Sequence, residues 1–356
     1  VVSNGLILSG TQNVYDGGVA EADLVTRIGT QNVSGGTGII SKLMASGQQV
    51  VYAGTGSVAK TSSGGTQTVS GGIGIATDIY SDGYQVVTGG TGLVTNLSGG
   101  AEQRVVTGQG SVTNVVGGLQ NIFSDGTGTI DTLYDGSQTV QIDGSGLINV
   151  MSSGIQYAID GYAHINTMVG GEQQGYNYAK LSIDTMSGGR QLISSGVSGS
   201  IGVVNKGNQI IYYSGEGTIG TLAGGGQTIS SGGIGTIGSL VSGGQLIYSG
   251  AKGRIVTMNA GATQVISSGG IGTADTMNGG KQEVFGSGTI GNMNSGIQNI
   301  YTGGSGTITN QSGGIQNVAS GAAGVVATMQ AGLQSIAGGG SGTVGVMNSG
   351  NQEIAD

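Results

Sequence analysis

Residues 66–72 read Thr-Gln-Thr-Val-Ser-Gly-Gly, and residues 226–232 read Gly-Gln-Thr-Ile-Ser-Ser-Gly. The glutamine of this phrase returns at 12, 31, 49, 67, 85, 103, 120, 138, 156, 173, 191, 209, 227, 245, 264, 282, 298, 316, 334 and 352. Most of these twenty copies are 18 residues apart, and the others are 16, 17 or 19 apart. A fixed period of this length marks a repeat array. One unit cannot bury its apolar face alone, and stacking neighbours builds a continuous core.

Counting outward from each glutamine gives the coil. Two residues on stands Val or Ile, as at Val14, Val69, Ile229 and Ile336, and only Ala158 and Gly175 break the column. β-Branched residues on the parity of the glutamine predict a short strand. Ten residues on lies a second apolar column, with Ile130, Ile148, Ile219 and Ile255. Near thirteen lies a third, holding all nine methionines from Met44 to Met347, together with Leu133, Leu222 and Leu240. Three apolar columns per turn, separated by glycine pairs such as Gly71-Gly72 and Gly313-Gly314, predict a coil with three short sides, and the tight corners favour φ > 0. A helix is excluded, because glycine inside one costs about 1 kcal/mol per residue and this chain has 80 glycines.

The predicted fold is all-β: a single-stranded, right-handed parallel β-helix (β-solenoid) of about twenty 18-residue coils, running over residues 1–356 as one domain. Two places depart from the pattern. The coils from Gln156 to Met186 lose the Ser-Gly-Gly corner and gain Tyr157, Tyr162, Tyr176 and Tyr178. The step from Gln282 to Gln298 is two residues short, which predicts one tightened corner.

Composition excludes several classes. Glycine has no three-residue period and proline is absent, which rules out collagen. The net charge of -8 provides no basic surface for nucleic acid. Without cysteine there is neither a disulfide framework nor a thiolate metal site, which suits a chain that crosses an oxidising compartment unfolded. No apolar run approaches the roughly 18 residues that span a bilayer. No basic segment followed by an apolar one opens the sequence, and the chain begins and ends within the repeat, so it reads as a fragment cut from something longer.

Candidate functional residues fall into three sets. The glutamine column points inward and is expected to form a hydrogen-bonded ladder. Three residues after the glutamine the side chain points outward, and this column carries Tyr15, Tyr52, Phe123, Tyr176, Tyr212, Tyr248, Phe285 and Tyr301. These aromatics are candidates for partner contact, or for stacking between neighbouring coils. Serines crowd the corners at Ser34, Ser63, Ser70, Ser98, Ser187, Ser194, Ser230, Ser242, Ser267 and Ser312, where they suit turns and could also accept O-linked sugar.

No catalytic or metal constellation emerges. Asp125, Asp143 and Asp160 recur at one turn, but the Ca²⁺ repeat Gly-Gly-x-Gly-x-Asp never appears in register. His164 is the only histidine and has no Gly-x-Ser-x-Gly partner motif. The acids are scattered rather than paired in a cleft, which disfavours a carbohydrate-active β-helix enzyme. An ice-binding solenoid would need a regular threonine face, and here Thr132, Thr185, Thr221, Thr257, Thr276 and Thr328 form a column one threonine wide with gaps.

The recurring phrase S-G-G-x-Q-x-V-x-S-G-G-x-G-x-x-T-x-M, clear at residues 63–79 and 223–240, resembles the repeat of AIDA/TibA-type self-associating autotransporter adhesins over essentially the whole chain. The resemblance implies a non-enzymatic passenger, displayed on the bacterial cell surface after export through an outer-membrane barrel. It implies adhesion to a host-cell surface receptor, and contact with copies of itself on neighbouring cells during aggregation and biofilm formation. It further implies serine O-heptosylation by a protein heptosyltransferase before export, with no cofactor. The corner serines occupy the corresponding phrase. Neither a signal peptide nor a translocator barrel is present in these 356 residues.

Overall fold

The computed structural model describes residues 5–355. It has no helix among them, and its strands pair in parallel. The chain divides into two compact units, Val1–Leu181 and Ser182–Asp356, each a β-solenoid. In the first unit the strands Thr66–Val69, Ile73–Ile79, Tyr84–Val87 and Thr91–Ser98 show the basic coil: a short strand carrying the glutamine, then a longer one. Asn208–Ile211, Glu216–Leu222, Gly226–Ile229 and Ile234–Leu240 repeat it in the second unit. Like residues stack on like. Gln67 pairs with Gln85 and Val69 with Val87, and Gln209 pairs with Gln227 and Ile211 with Ile229.

The glutamine strand alternates strictly. In Thr66–Val69 the buried residues are Gln67 and Val69. The longer strand does not alternate throughout. Its second, fourth and seventh residues are buried, as in Glu216–Leu222. Ladder pairing skips one residue where the parity slips: Ile130 pairs with Ile148 and Thr132 with Val150, while the residues between are unpaired. The coil therefore turns a third time within a strand, without a glycine pair. Each fully buried Val, Leu or Ile in these columns contributes about 1.5–3 kcal/mol.

Two expectations for the third apolar column need correction. Leu43, not Met44, holds the inward position, in register with Thr61, and Met44 is half-buried beside Ser62. Met347 is 45% exposed. The methionines Met151, Met168, Met186, Met258, Met277, Met293 and Met329 are buried as expected.

The glycines serve a second purpose beyond the corners. In most coils one glycine faces inward, six to eight residues after the glutamine. A Cβ on Gly235 would stand 2.4 Å from Cδ1 of Ile229 and 2.6 Å from Oε1 of Gln227. Close packing leaves no room for it. The irregular coils make the reciprocal change. Ala158 replaces Val or Ile, and Ala163, in register with Gly146, replaces the inward glycine. In the next coil Gly175 replaces the β-branched residue, and Leu181, eight residues after Gln173, replaces the glycine and is 3% exposed. Volume lost on one wall of the coil is supplied from the other, so the core stays filled.

The short step at Gln282–Gln298 tightens one corner. Between the strands Gly243–Ile247 and Lys252–Met258 the link is four residues; between Ile271–Val284 and Ser287–Ile300 it is Phe285 and Gly286 alone.

Candidate functional site

The glutamines form a ladder inside each unit. In the first, Gln31 Nε2 donates to Gln12 Oε1 at 2.8 Å, and the chain of bonds continues to Gln173 on Gln156 at 2.8 Å. In the second it runs from Gln209 on Gln191 at 2.7 Å to Gln352 on Gln334 at 2.6 Å. Many Nε2 atoms donate a second bond to the carbonyl of the inward glycine one coil earlier, as from Gln67 to Gly56 at 3.1 Å and from Gln227 to Gly217 at 3.3 Å. The buried amide is thereby satisfied on both hydrogens, as burial demands. This ladder is a structural element, with its side chains committed to one another.

What faces solvent is the column three residues after the glutamine. In the second unit it reads Ser194, Tyr212, Ser230, Tyr248, Ser267, Phe285 and Tyr301 in consecutive coils, then Ala319, Ala337 and Ala355. Backbone bonds hold it in line: the nitrogens of Tyr212, Ser230, Tyr248 and Phe285 each donate, at 2.8–3.0 Å, to the inward Ile of the preceding coil. In the first unit the column includes Tyr15, Ser34, Tyr52, Ser70, Thr88, Phe123 and Tyr176. Tyr15, Tyr52, Tyr176, Tyr212, Tyr248 and Phe285 are exposed, and Phe123 and Tyr301 are half-buried.

The two half-buried rings have partners. Phe285 and Tyr301, in consecutive coils beside the paired Val284 and Ile300, stack with centroids 4.2 Å apart and planes 5° apart. The Arg104 guanidinium lies 4.6 Å over the Phe123 ring, within cation–π range. Ser34 separates Tyr15 from Tyr52, Ser230 separates Tyr212 from Tyr248, and Tyr176 is in register with Ile159, so no continuous aromatic stack forms.

The ten candidate serines occupy two different edges. Ser34, Ser70, Ser194, Ser230 and Ser267 stand in the aromatic column itself. Ser63, Ser98, Ser187, Ser242 and Ser312 stand at the other corner, by the glycine pairs. Ser63 adopts φ 51 there. Ser34, Ser63, Ser70, Ser187 and Ser312 are exposed and the other five half-buried; the Ser242 hydroxyl donates to the Ala223 carbonyl. The shared column of aromatics and serines was countable from the sequence, since both stand three residues after a glutamine. Sorting residues by chemical type, rather than by position, hides it.

Other candidates disperse. Asp143 and Asp160 take left-handed corner conformations (φ 60 and 58), and their backbones join at 3.0 Å. With Tyr162, Tyr178 and Lys180 they line a depression of about 280 Å³, and Asp125 lies outside it. Among the described residues no three His, Cys, Asp or Glu side chains converge as metal ligands. His164 Nε2 lies 2.7 Å from Asn166 Oδ1, and its ring is parallel to Tyr162 at 6.4 Å. In the threonine column, register places Ser239 between Thr221 and Thr257, and Asn292 after Thr276. No family model matches this chain, and no curated protein matches it.

Proposed function

We propose that this chain is part of the cell-surface passenger of a bacterial autotransporter adhesin, exported through the outer membrane. It would act by repeated contact with copies of itself on neighbouring cells and with a host-cell surface receptor, promoting adhesion, aggregation and biofilm formation. The observation that carries this reading is the outward column in each unit, where two exposed tyrosines stand two coils apart across a serine: Tyr15 and Tyr52 across Ser34, and Tyr212 and Tyr248 across Ser230. One such ring is a small contact. Several along one column, held in register by the ladder beneath, offer repeated contacts to a like column. Linked weak contacts exceed single ones by about 10²–10⁴-fold when geometry permits simultaneous engagement.

The serines fit the same reading. Five stand between the rings and five line the other corner, none of them buried. O-heptosylation by a protein heptosyltransferase before export would place hydroxyl-rich groups beside the rings. Both the adhesin assignment and the sugar rest on the repeat phrase together with this surface.

Analytical ultracentrifugation of the purified chain tests self-association, with sedimentation of cells displaying it as the companion experiment. Concentration-dependent association in both is expected; a strict monomer that leaves displaying cells dispersed refutes the reading. Intact mass after co-expression with a heptosyltransferase reads the sugar directly, as increments of one heptose.

A further inference from the structure

The outward column of the second unit changes character after Tyr301. One face of that ring is covered by Phe285, 4.2 Å away. The following coils supply only the methyl groups of Ala319 and Ala337. A step results, with an upright phenol ring at one end and a low apolar floor beyond it. Alongside runs the column one residue after the glutamine: Asn299, Asn317 and Ser335. Asn317 Nδ2 donates to Asn299 Oδ1 at 2.8 Å, which holds both amides upright as a polar wall. Together these groups line a groove of about 350 Å³. Its base is ladder-paired strand, with Ile315 on Leu333 and Val318 on Ile336, so the groove is preformed.

We infer that this groove between Tyr301 and Ala337 binds a neutral saccharide. None of its lining residues is charged, and the polar column continues into carboxylates at both ends, Glu283 beside Asn299 and Glu353 beside Ser335, so nothing there matches a phosphate or a carboxylate. What it presents is one aromatic plane, an alanine floor and a row of amides and a hydroxyl. A sugar ring is complementary to that set. Its C–H face lies against an aromatic face, and its hydroxyls pair with amide donors and acceptors. The volume is at the lower end of the roughly 300–1,000 Å³ of small-molecule sites, which are mostly apolar with a few placed polar groups. Tyr212 and Tyr248 lack this combination. Each has serine in the adjacent coils of its column, and the neighbouring wall is Ile210, Thr228 and Leu246.

The inference is independent of self-association and of adhesion. It is tested on the full chain by saturation-transfer NMR with the methyl glycosides of glucose, galactose, mannose and N-acetylglucosamine. Transfer to ring C–H protons of at least one glycoside is expected, with a dissociation constant on the order of 1 mM. Ala319→Tyr should abolish it. The new ring would continue the Phe285–Tyr301 stack into the groove, and an unchanged or higher melting temperature would show the fold intact. Tyr301→Ser removes the aromatic plane and should reduce transfer at least tenfold; serine already occurs in this column at Ser230 and Ser267. Failure of all four glycosides to bind the native chain overturns the inference, as does transfer that persists in Ala319→Tyr. If the native chain dimerises and Ala319→Tyr alone prevents it, the groove is an interface between copies and the saccharide reading falls. Self-association that survives both variants leaves the adhesin proposal standing whatever the sugar result.

Discussion

Gln227 Nε2 donates to Gln209 Oε1 at 2.7 Å and to the Gly217 carbonyl at 3.3 Å, with both glutamines fully buried. Each amide in the ladder is donor to the coil before it and acceptor from the coil after it. A net hydrogen bond contributes only about 0.5–1.5 kcal/mol, but an unmade one leaves a buried polar group at a cost of about 1–3 kcal/mol. The ladder therefore selects register more strongly than it stabilises. A two-residue slip, which keeps the inward parity, would set every amide against the Val/Ile column.

Gln227→Glu should be among the most disruptive single changes. It removes the two hydrogens that bond Gln209 and Gly217, and at neutral pH places a carboxylate in the core. An uncompensated buried charge costs about 3–5 kcal/mol. Burial raises the introduced carboxyl's pKa above its unfolded value of about 4.3. A group with a raised folded pKa favours folding below its unfolded pKa and loses that contribution as pH rises through the folded value. The variant should thus recover toward native stability as pH falls and weaken as it rises. Urea unfolding followed by circular dichroism at several pH values reads both effects, and a deficit that grows with acidity would contradict the ladder's role.

Gly235→Ala should destabilise by about 1–3 kcal/mol, because the added Cβ meets Ile229 and the Gln227 amide at overpacked distances. Ile229→Ala alone should cost about 2–5 kcal/mol through the cavity it opens. The pair should cost less than the sum by about 0.5–3 kcal/mol, since Ala158 with Ala163 is this combination in a native coil. The converse swap is Leu181→Gly rescued by Gly175→Val. Strict additivity in both cycles would show that volume is not exchanged across the coil.

Among the described residues, two buried side-chain atoms lack a hydrogen-bond partner: Thr61 Oγ1 and Gln311 Oε1. Thr61 lies in register between Leu43 and Ile79, and Gln311 between Met293 and Met329. Thr61→Val keeps shape and should stabilise by about 1 kcal/mol or more. Gln311→Met should gain less, because Gln311 Nε2 does donate to the Gly314 and Leu333 carbonyls at 3.1 and 3.3 Å. Differential scanning calorimetry reads the order, with Thr61→Val the higher of the two.

Tyr212→Ser with Tyr248→Ser should leave the melting temperature within a few degrees of the native value. Both rings are exposed, and surface changes away from special features shift stability by about 0.5 kcal/mol or less. The same variant should sediment as a smaller species than the native chain at equal concentration. Unchanged sedimentation would remove these rings from the contact surface.

Much of the fold was legible in the sequence because a solenoid repeats its local rules. The 18-residue return of Gln, with Val or Ile two residues on, fixes the parity of the short strand and the axis along which copies stack. The shortened link at Phe285-Gly286 was legible for the same reason, as a gap in a count. The three apolar columns also predict three sides, but not where the third turn lies: it is a slip of parity inside a strand, at residues such as Asp131, with no glycine pair to mark it. Met44 lies one residue beyond the inward Leu43 because the corner after Gln31 is one residue shorter: the inward Gly38 follows Gln31 by seven residues, where Gly217 follows Gln209 by eight.

By itself, the sequence determined the period, the inward Gln and Val/Ile columns and the all-β class, since each follows from spacing along the chain. Only the tertiary structure decided which residues face one another across a coil. Gly235 is glycine because Gln227 and Ile229 fill the space opposite, and Leu181 is leucine in a coil where Gly175 leaves that space unfilled. It also decided that Tyr301 stands at the end of a ring stack with an open floor beside it. Spacing along the chain is a one-dimensional property. Packing is set by volumes that meet from opposite walls, and no period encodes them.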